Sequence, residues 1–293
     1  MKNQIYHKDC LEGMKTIPNE SINCVLTDPP YLYLKNQKLD RPFDEKLFFS
    51  EVKRILKKDG FIVIFGRGTS FYRWNCLLAD LGFVFKEEIV WNKNLTSSPV
   101  LPISRVHETI AIYTKDSGII NNVKVDYIEQ RRGDIKNIIN NIKRVQSAFN
   151  GKKEIKYLET LILGIRTDFS VSTNFSRYKT TLQTKEQGLR CVRALSSICN
   201  GMKEKSIINI SRQHYSTIHP TQKPVRLLER LLNLVTVEGD IVLDPFSGSA
   251  STAIACLNTG RESIGYEIDE EYFEKGQIRL NEAILKHETN HQK

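Results

Sequence analysis

The 293-residue chain is short of several features, and each shortage excludes a class of protein. No apolar run reaches the roughly 18–20 residues that a bilayer-spanning helix needs. The opening MKNQIYHKDC holds no apolar stretch of the signal-peptide kind. Cys10, Cys24, Cys76, Cys191, Cys199 and Cys256 form no CxxC pair. Neither a zinc ribbon nor a disulfide scaffold is suggested, and the cysteines read as reduced thiols of a cytoplasmic protein. The spacing of His107, His214 and His219 matches no zinc pattern, so no metal is expected. A P-loop (GxxxxGK followed by Ser or Thr), internal repeats and a nuclease motif are also missing.

What is present suits a folded core. Hydrophobic residues make up 40% and charged residues 26%, an ordinary globular balance that excludes wholesale disorder. Lys and Arg number 43 against 34 Asp and Glu, a formal charge of +9. That excess admits a nucleic-acid partner, an acidic membrane surface or a generic solvated face. Its position is informative: residues 124–193 carry 15 Lys and Arg against 7 Asp and Glu, or +8. The flanks are close to neutral.

Strand-like and helix-like segments alternate through the first third. Residues 22–27 form an apolar run that ends at Asp28-Pro29-Pro30, where proline forces a turn. Leu47, Phe48, Val52, Ile55 and Leu56 recur at helical spacing, and Lys57-Lys58-Asp59-Gly60 reads as a basic last turn and stop. Residues 61–65 (FIVIF) read as a strand buried on both faces. A helix is expected over 71–81 and strands over 83–91 and 109–113. The middle is polar and basic, with candidate helices at 135–145, 153–163 and 185–198. After residue 217 the alternation resumes: helix 224–234, strand 241–243, helix 250–257, strand 263–266 and a last helix with acids in its first turn. The organisation is one α/β domain in two sequence halves, 1–120 and 215–293, with a basic, partly helical insertion at 121–214.

Two turns carry chemistry. The strand IVLDPF runs into the small residues Ser247-Gly248-Ser249-Ala250-Ser251 and then a helix. Such a turn is where an open α/β sheet binds a nucleotide-like ligand, and Glu267, at the end of the next strand, stands about where an acid holds ribose hydroxyls. Asp244 would repel a pyrophosphate, so a cationic or zwitterionic ligand suits the loop better; an ordinary βα turn of small residues is the alternative. In the other turn, Asp28-Pro29-Pro30-Tyr31, two prolines stiffen the backbone. A carboxylate, the Pro29 carbonyl and an aromatic face are left rigidly placed. Two acceptors can hold both hydrogens of an exocyclic amino group out of the ring plane and localise its lone pair toward an electrophile, while Tyr31 stacks on the base. The alternative is a tight turn with an incidental Tyr.

Together, DPPY and the DPFSGS loop resemble the DNA amino-methyltransferases, which modify adenine N6 or cytosine N4. More specifically they resemble the permuted branch, in which the catalytic motif precedes the target-recognition region and the cofactor loop comes last. The segments HKDCLEGM at 7–14, RVHETI at 105–110 and HPTQKP at 219–224 are similar to other family segments. The resemblance covers roughly 4–115 and 215–285. It implies a doubly wound, mostly parallel, Rossmann-like sheet and S-adenosylmethionine as cofactor. It implies Asp28, Pro29, Pro30 and Tyr31 as the catalytic turn and Asp244, Phe246, Gly248 and Ser249 as the cofactor loop. Glu267 would then hold the ribose, Asp9 would lie near the cofactor adenine, and Thr221 and Lys223 would close the pocket near the amino-acid end. DPPY implies adenine over cytosine. One departure stands out: the family's loop usually carries a second glycine where this chain has Ala250. Because residue 250 begins an apparent helix, Ala is expected to be harmless there.

Within such a chain the basic insertion becomes the expected DNA-recognition region. Its Lys and Arg would neutralise phosphates, and Phe149, Tyr157, Phe169, Phe175 and Tyr178 are interleaved to wedge or read bases. The expected activity is site-specific methylation of adenine N6 in duplex DNA. The alternatives are cytosine-N4 or RNA adenine methylation, or a DNA-binding protein with a degenerate methylase fold. A separate cognate restriction endonuclease is a candidate partner, and the chain is expected to be a monomer or homodimer.

Overall fold

A computed structural model describes residues 3–31, 41–94, 102–131, 134–148, 185–212 and 217–291. In chain order the elements are β1 (Gln4–His7), α1 (Cys10–Met14), β2 (Ile22–Thr27), α2 (Glu45–Ile55), β3 (Leu56–Gly66), α3 (Gly68–Asp80), β4 (Val84–Asn92), β5 (His107–Thr114), β6 (Lys124–Val125), α4 (Tyr127–Gln130), α5 (Ile135–Ala148), α6 (Lys185–Asn200), β7 (Met202–Lys203), β8 (Ile207–Asn209), α7 (Val225–Val235), β9 (Ile241–Asp244), α8 (Ser251–Asn258), β10 (Glu262–Glu267) and α9 (Glu270–His291). They divide into two compact units, 1–121 with 205–293, and 122–204.

The first unit holds an eight-stranded sheet in the order β1-β10-β9-β2-β3-β5-β4-β8. Only β5 runs antiparallel to its neighbours. The order reverses between β9 and β2, so the chain winds outward from that pair in both directions, as expected for a doubly wound sheet. The central strands are continuous apolar runs because helices cover both faces. Phe48, Phe49, Phe71 and Trp74 of α2 and α3 pack on one face with Val25, Ile62 and Ile64. Ala253 and Ile254 of α8 and Leu280 of α9 pack on the other with Ile5. Each fully buried aromatic or aliphatic side chain here contributes roughly 1.5–3 kcal/mol. Asp44 caps α2, its carboxylate accepting from the Leu47 amide at 3.0 Å.

Three expectations change. Residues 57–60 are not a helical turn: Leu56 is already extended (ψ 137°) and pairs with Ile22, so β3 begins where the helix ends. The pairing of β2 with β3 outweighs the helix-stop pattern. Residue 250 is not helical either. Ala250 precedes α8 in the left-handed conformation, φ 59° and ψ 24°. There its amide donates to the Ser247 carbonyl at 2.8 Å and its carbonyl accepts the first helical bond, from Ile254, at 3.1 Å. Finally, 207–209 adds β8 beside β4 in the main sheet, so the second unit ends at 204 rather than 214.

In that second unit β6 and β7 pair antiparallel. Helices α5 and α6 bury Val145, Ala194 and Leu195 against one another, and Asn141 donates to the Tyr127 hydroxyl at 2.8 Å. The expected helix at 153–163 and the aromatics Phe149, Tyr157, Phe169, Phe175 and Tyr178 lie outside the described residues.

Candidate active site

Four neighbouring strands each deliver an acid at their carboxyl ends. Asp9 follows β1, Glu267 ends β10, Asp244 ends β9 and Asp28 follows β2. Pairing is in register: His7 opposes Glu267, Gly265 opposes Asp244, and Val25 opposes Leu243. Residues 216 positions apart in sequence, Asp28 and Asp244, thereby end adjacent strands at the switch point. A cavity of about 580 Å³ opens there, within the usual range for small-ligand sites. Its lining includes all twelve residues expected in the catalytic turn and the cofactor pocket: Asp9, Asp28, Pro29, Pro30, Tyr31, Thr221, Lys223, Asp244, Phe246, Gly248, Ser249 and Glu267.

The loop after β9 is built around its acids. The Phe246 amide donates to Asp244 Oδ1 at 3.2 Å and the Thr252 hydroxyl to Oδ2 at 2.5 Å. No Lys or Arg pairs with Asp244 among the described residues. Burial pushes its carboxyl up to about 7; the Thr252 and Phe246 bonds only partly offset this, and Asp28 and Glu267 add to it. Glu267 accepts from the Gly248 amide at 2.8 Å and from the Asp269 amide at 2.9 Å, one on each oxygen. Burial raises its pKa as well, against the backbone amides of Asp269, Gly248 and Ile268. A carboxylate has about four acceptor sites, so two remain for hydroxyls. Gly248 itself takes φ +46°, and α9 closes on the loop through Gly276, where a Cβ would come 2.8 Å from the Gly248 carbonyl. Arg279 of α9 fixes the same loop from behind, donating to the Ser249 carbonyl at 2.7 Å and to the Ser251 hydroxyl at 2.8 Å.

The Asp28-Pro29-Pro30-Tyr31 turn is held against α3. The Tyr31 carbonyl accepts from the Ser70 hydroxyl at 2.6 Å, its ring lies 6.0 Å from Trp74, and its hydroxyl donates to Asp28 Oδ1. Lys223 donates to Asp28 Oδ2. Burial pushes the Asp28 carboxyl up and Lys223 pulls it back. Asp9 also caps α1, its Oδ1 accepting from Leu11 and Glu12 amides at 2.9 and 3.2 Å. Thr221 bonds its neighbour His219 through its hydroxyl at 3.0 Å, and His219 packs edge-on to Tyr272.

The model of the DNA methylase family N6_N4_Mtase matches residues 22–278. The chain belongs to this DNA methylase family. It is 28% identical to the Type II methyltransferase M.HinfI of Haemophilus influenzae, over 96% of this chain and 68% of that protein. It is 28% identical to the DNA adenine methyltransferase YhdJ of Escherichia coli, over 95% of this chain and 83% of that one. Among solved structures the M1.HpyAVI–SAM complex aligns with a TM-score of 0.56 at 23% identity, covering 95% of this chain and 98% of its own. That likeness supports the Rossmann-like methylase fold.

Sequence reasoning left several lining residues unassigned. Glu108 sits in RVHETI and Lys93 follows a strand, but neither has a local motif of its own. A buried charge pair reveals itself only when the strands are adjacent, and Trp91 opposes Glu108 across the β4–β5 ladder. Arg279, behind the loop rather than on the lining, has no local motif either, because its partners Ser249 and Ser251 are distant in sequence. For Lys223 the structure shows a bond to Asp28 and a 3.2 Å approach to Glu108. It therefore stands at the Asp28 turn as well as on the lining of the cavity.

Proposed function

We propose that this chain transfers a methyl group from S-adenosylmethionine to N6 of an adenine flipped out of duplex DNA at a specific sequence. The observation that carries the reading is the side-by-side placement of Asp28-Pro29-Pro30-Tyr31 and the Asp244–Ser249 loop around one cavity. The residues present fit the cofactor. A buried carboxylate at about 7, with no cation paired to it among the described residues, suits a ligand that brings positive charge. Glu267 keeps acceptor sites for ribose hydroxyls. When bound, the cofactor supplies an electrophilic methyl on its sulfonium.

The remaining work falls to the protein. Asp28 and the Pro29 carbonyl accept from the target amino group and turn its lone pair out of the ring plane. Tyr31 offers a face for the base and its hydroxyl steadies Asp28. Positioning and fixed charge lower the barrier without a covalent intermediate. The cofactor loop following the catalytic turn in sequence supports the permuted order. The basic segment between them, carrying most of the net charge, supports a role in gripping DNA phosphates. The relative named as a DNA adenine methyltransferase supports adenine; the family model spans both N6 and N4 chemistry.

Duplex DNA incubated with methyl-labelled cofactor tests the reading. Label in DNA, recovered as N6-methyladenine and abolished by Asp28→Ala while cofactor binding survives, is the expected result. No label, or labelling that Asp28→Ala leaves unchanged, refutes it. Recovery as N4-methylcytosine, or label only in RNA, moves the chain to those substrates.

A further inference from the structure

Four charged side chains from four segments meet beside the Asp28 turn. Lys223, ahead of α7, donates to Asp28 Oδ2 and stands 3.2 Å from Glu108 Oε2. Glu108, near the start of β5, meets Lys93, just past β4, at 2.5 Å through Oε1. Lys223 and Lys93 are only 8% and 5% exposed. Each also lies against an aromatic ring, Lys223 4.9 Å from the centre of Phe65 and Lys93 5.4 Å from that of Trp91. Two carboxylates and two ammonium groups cancel, which is how buried charge is tolerated. One pair would achieve the same cancellation. The second pair does something further: it divides Lys223 between two acids.

We propose that Glu108 is a positioning residue for methyl transfer: it draws Lys223 partly off Asp28, so that Asp28 has a counter-ion yet keeps acceptor capacity for the target amino group. This rests on the reading of Asp28 as the catalytic turn. The two requirements oppose each other. Without a cation, burial favours the protonated form of Asp28, which donates where an acceptor is needed. With Lys223 on Asp28 alone, the ammonium would neutralise the carboxylate and compete with the substrate for it. Sharing Lys223 with Glu108 meets both. Among the described residues, Tyr31 and Asp244 face Asp28, Lys93 faces Glu108, and His219 stands near Lys223. Burial, with Lys223 beside it, lowers the His219 imidazole to about 4, so it adds no charge at neutral pH.

The two partners move Asp28 in opposite directions. Lys223 lowers its pKa and Glu108 raises it. The test is the titration of Asp28 in the full ligand-free chain, by carbon NMR of carboxyl-labelled aspartate, with the Asp28 signal identified by its loss in Asp28→Asn. Alongside it, kcat and KM are measured for methyl transfer to DNA. Glu108→Gln should titrate Asp28 at lower pH and reduce kcat at least tenfold, with both KM values within twofold of wild type and Glu108→Asp recovering most of the rate. Lys223→Met should move the titration up; if that variant does not fold, Lys223→Arg should hold it near wild type. An Asp28 titration unmoved by Glu108→Gln, or a shift with kcat unchanged, overturns the proposal while leaving the methylase reading intact. Absence of transfer by wild type, whatever the titration shows, sinks the methylase reading and the positioning role with it.

Discussion

The Gly248 amide donates to Oε2 of Glu267 at 2.8 Å, so the loop that ends one strand is fastened to the acid that ends the next. Glu267 therefore does two jobs in the proposed site. It shapes the loop through two backbone amides and presents its remaining acceptor sites to the cavity.

Glu267→Gln tests that double duty. The amide keeps one acceptor oxygen and turns its NH2 toward a backbone donor, so a bond to Gly248 or Asp269 is broken. Hydrogen bonds to a charged group contribute about 1.5–3 kcal/mol. Calorimetry should show affinity for S-adenosylmethionine reduced at least about tenfold; unchanged affinity would remove Glu267 from the site.

Asp244 predicts a trade between stability and binding. Its folded pKa, about 7, stands above the ordinary aspartate value of 3.8. A raised carboxyl contributes stability that is full below about pH 4 and is lost as pH rises through about 7, on the order of 4 kcal/mol. In Asp244→Asn the amide can still accept from the Phe246 amide and donate to the Thr252 hydroxyl. Thermal unfolding of the ligand-free variant should occur above wild type at pH 8 and lose this slope, while cofactor affinity falls more than about tenfold. A variant less stable than wild type at pH 8 contradicts the assignment.

Ala250 adopts a left-handed conformation that glycine favours, and three opposing energies set the effect of placing glycine there. A left-handed Ala carries about 1–2 kcal/mol of strain. Glycine there forfeits a buried methyl, about 0.8 kcal/mol, and adds backbone freedom to the unfolded chain, about 0.5–1 kcal/mol. These nearly cancel. Urea unfolding of Ala250→Gly should lie within about 1 kcal/mol of wild type, with cofactor affinity within about threefold. A tenfold gain in affinity would show that Ala250 had impaired the loop. Ala250→Val, β-branched and fully buried against Ile5 and Leu280, should cost more than about 2 kcal/mol.

Helix α5 exposes Lys136, Lys143 and Arg144, whose spacing puts them on one side of the helix. If they neutralise phosphates, replacing all three with Gln should flatten the dependence of log affinity on log salt by up to roughly 0.9 for each phosphate left without its cation. Binding titrations from low to moderate salt measure the slope. An unchanged slope takes the grip away from this helix.

The two short motifs were legible because their chemistry is local. A strand that runs into Asp-Pro-Pro-Tyr, or into Asp-Pro-Phe-Ser-Gly-Ser, declares a rigid turn and a close backbone approach wherever it folds. Buried strands such as FIVIF were equally plain from their continuous apolar runs. Local sequence misled where a long-range partner intervened. Leu56 left the helix because Ile22 pairs with it, and residue 250 turned left-handed because its carbonyl and amide are both claimed, one by α8 and the other by the loop.

By itself, then, the sequence determined the alternating α/β order, the two turns and the concentration of charge at 124–193, since periodicity, proline and charge act over a few residues. Tertiary structure alone decided that Asp28 and Asp244 would end neighbouring strands. It also joined Asp28, Lys223, Glu108 and Lys93 into one chain of charges. Strand order is set by how helices cover both faces of the sheet, and a buried ion pair exists only where two separate segments leave water together.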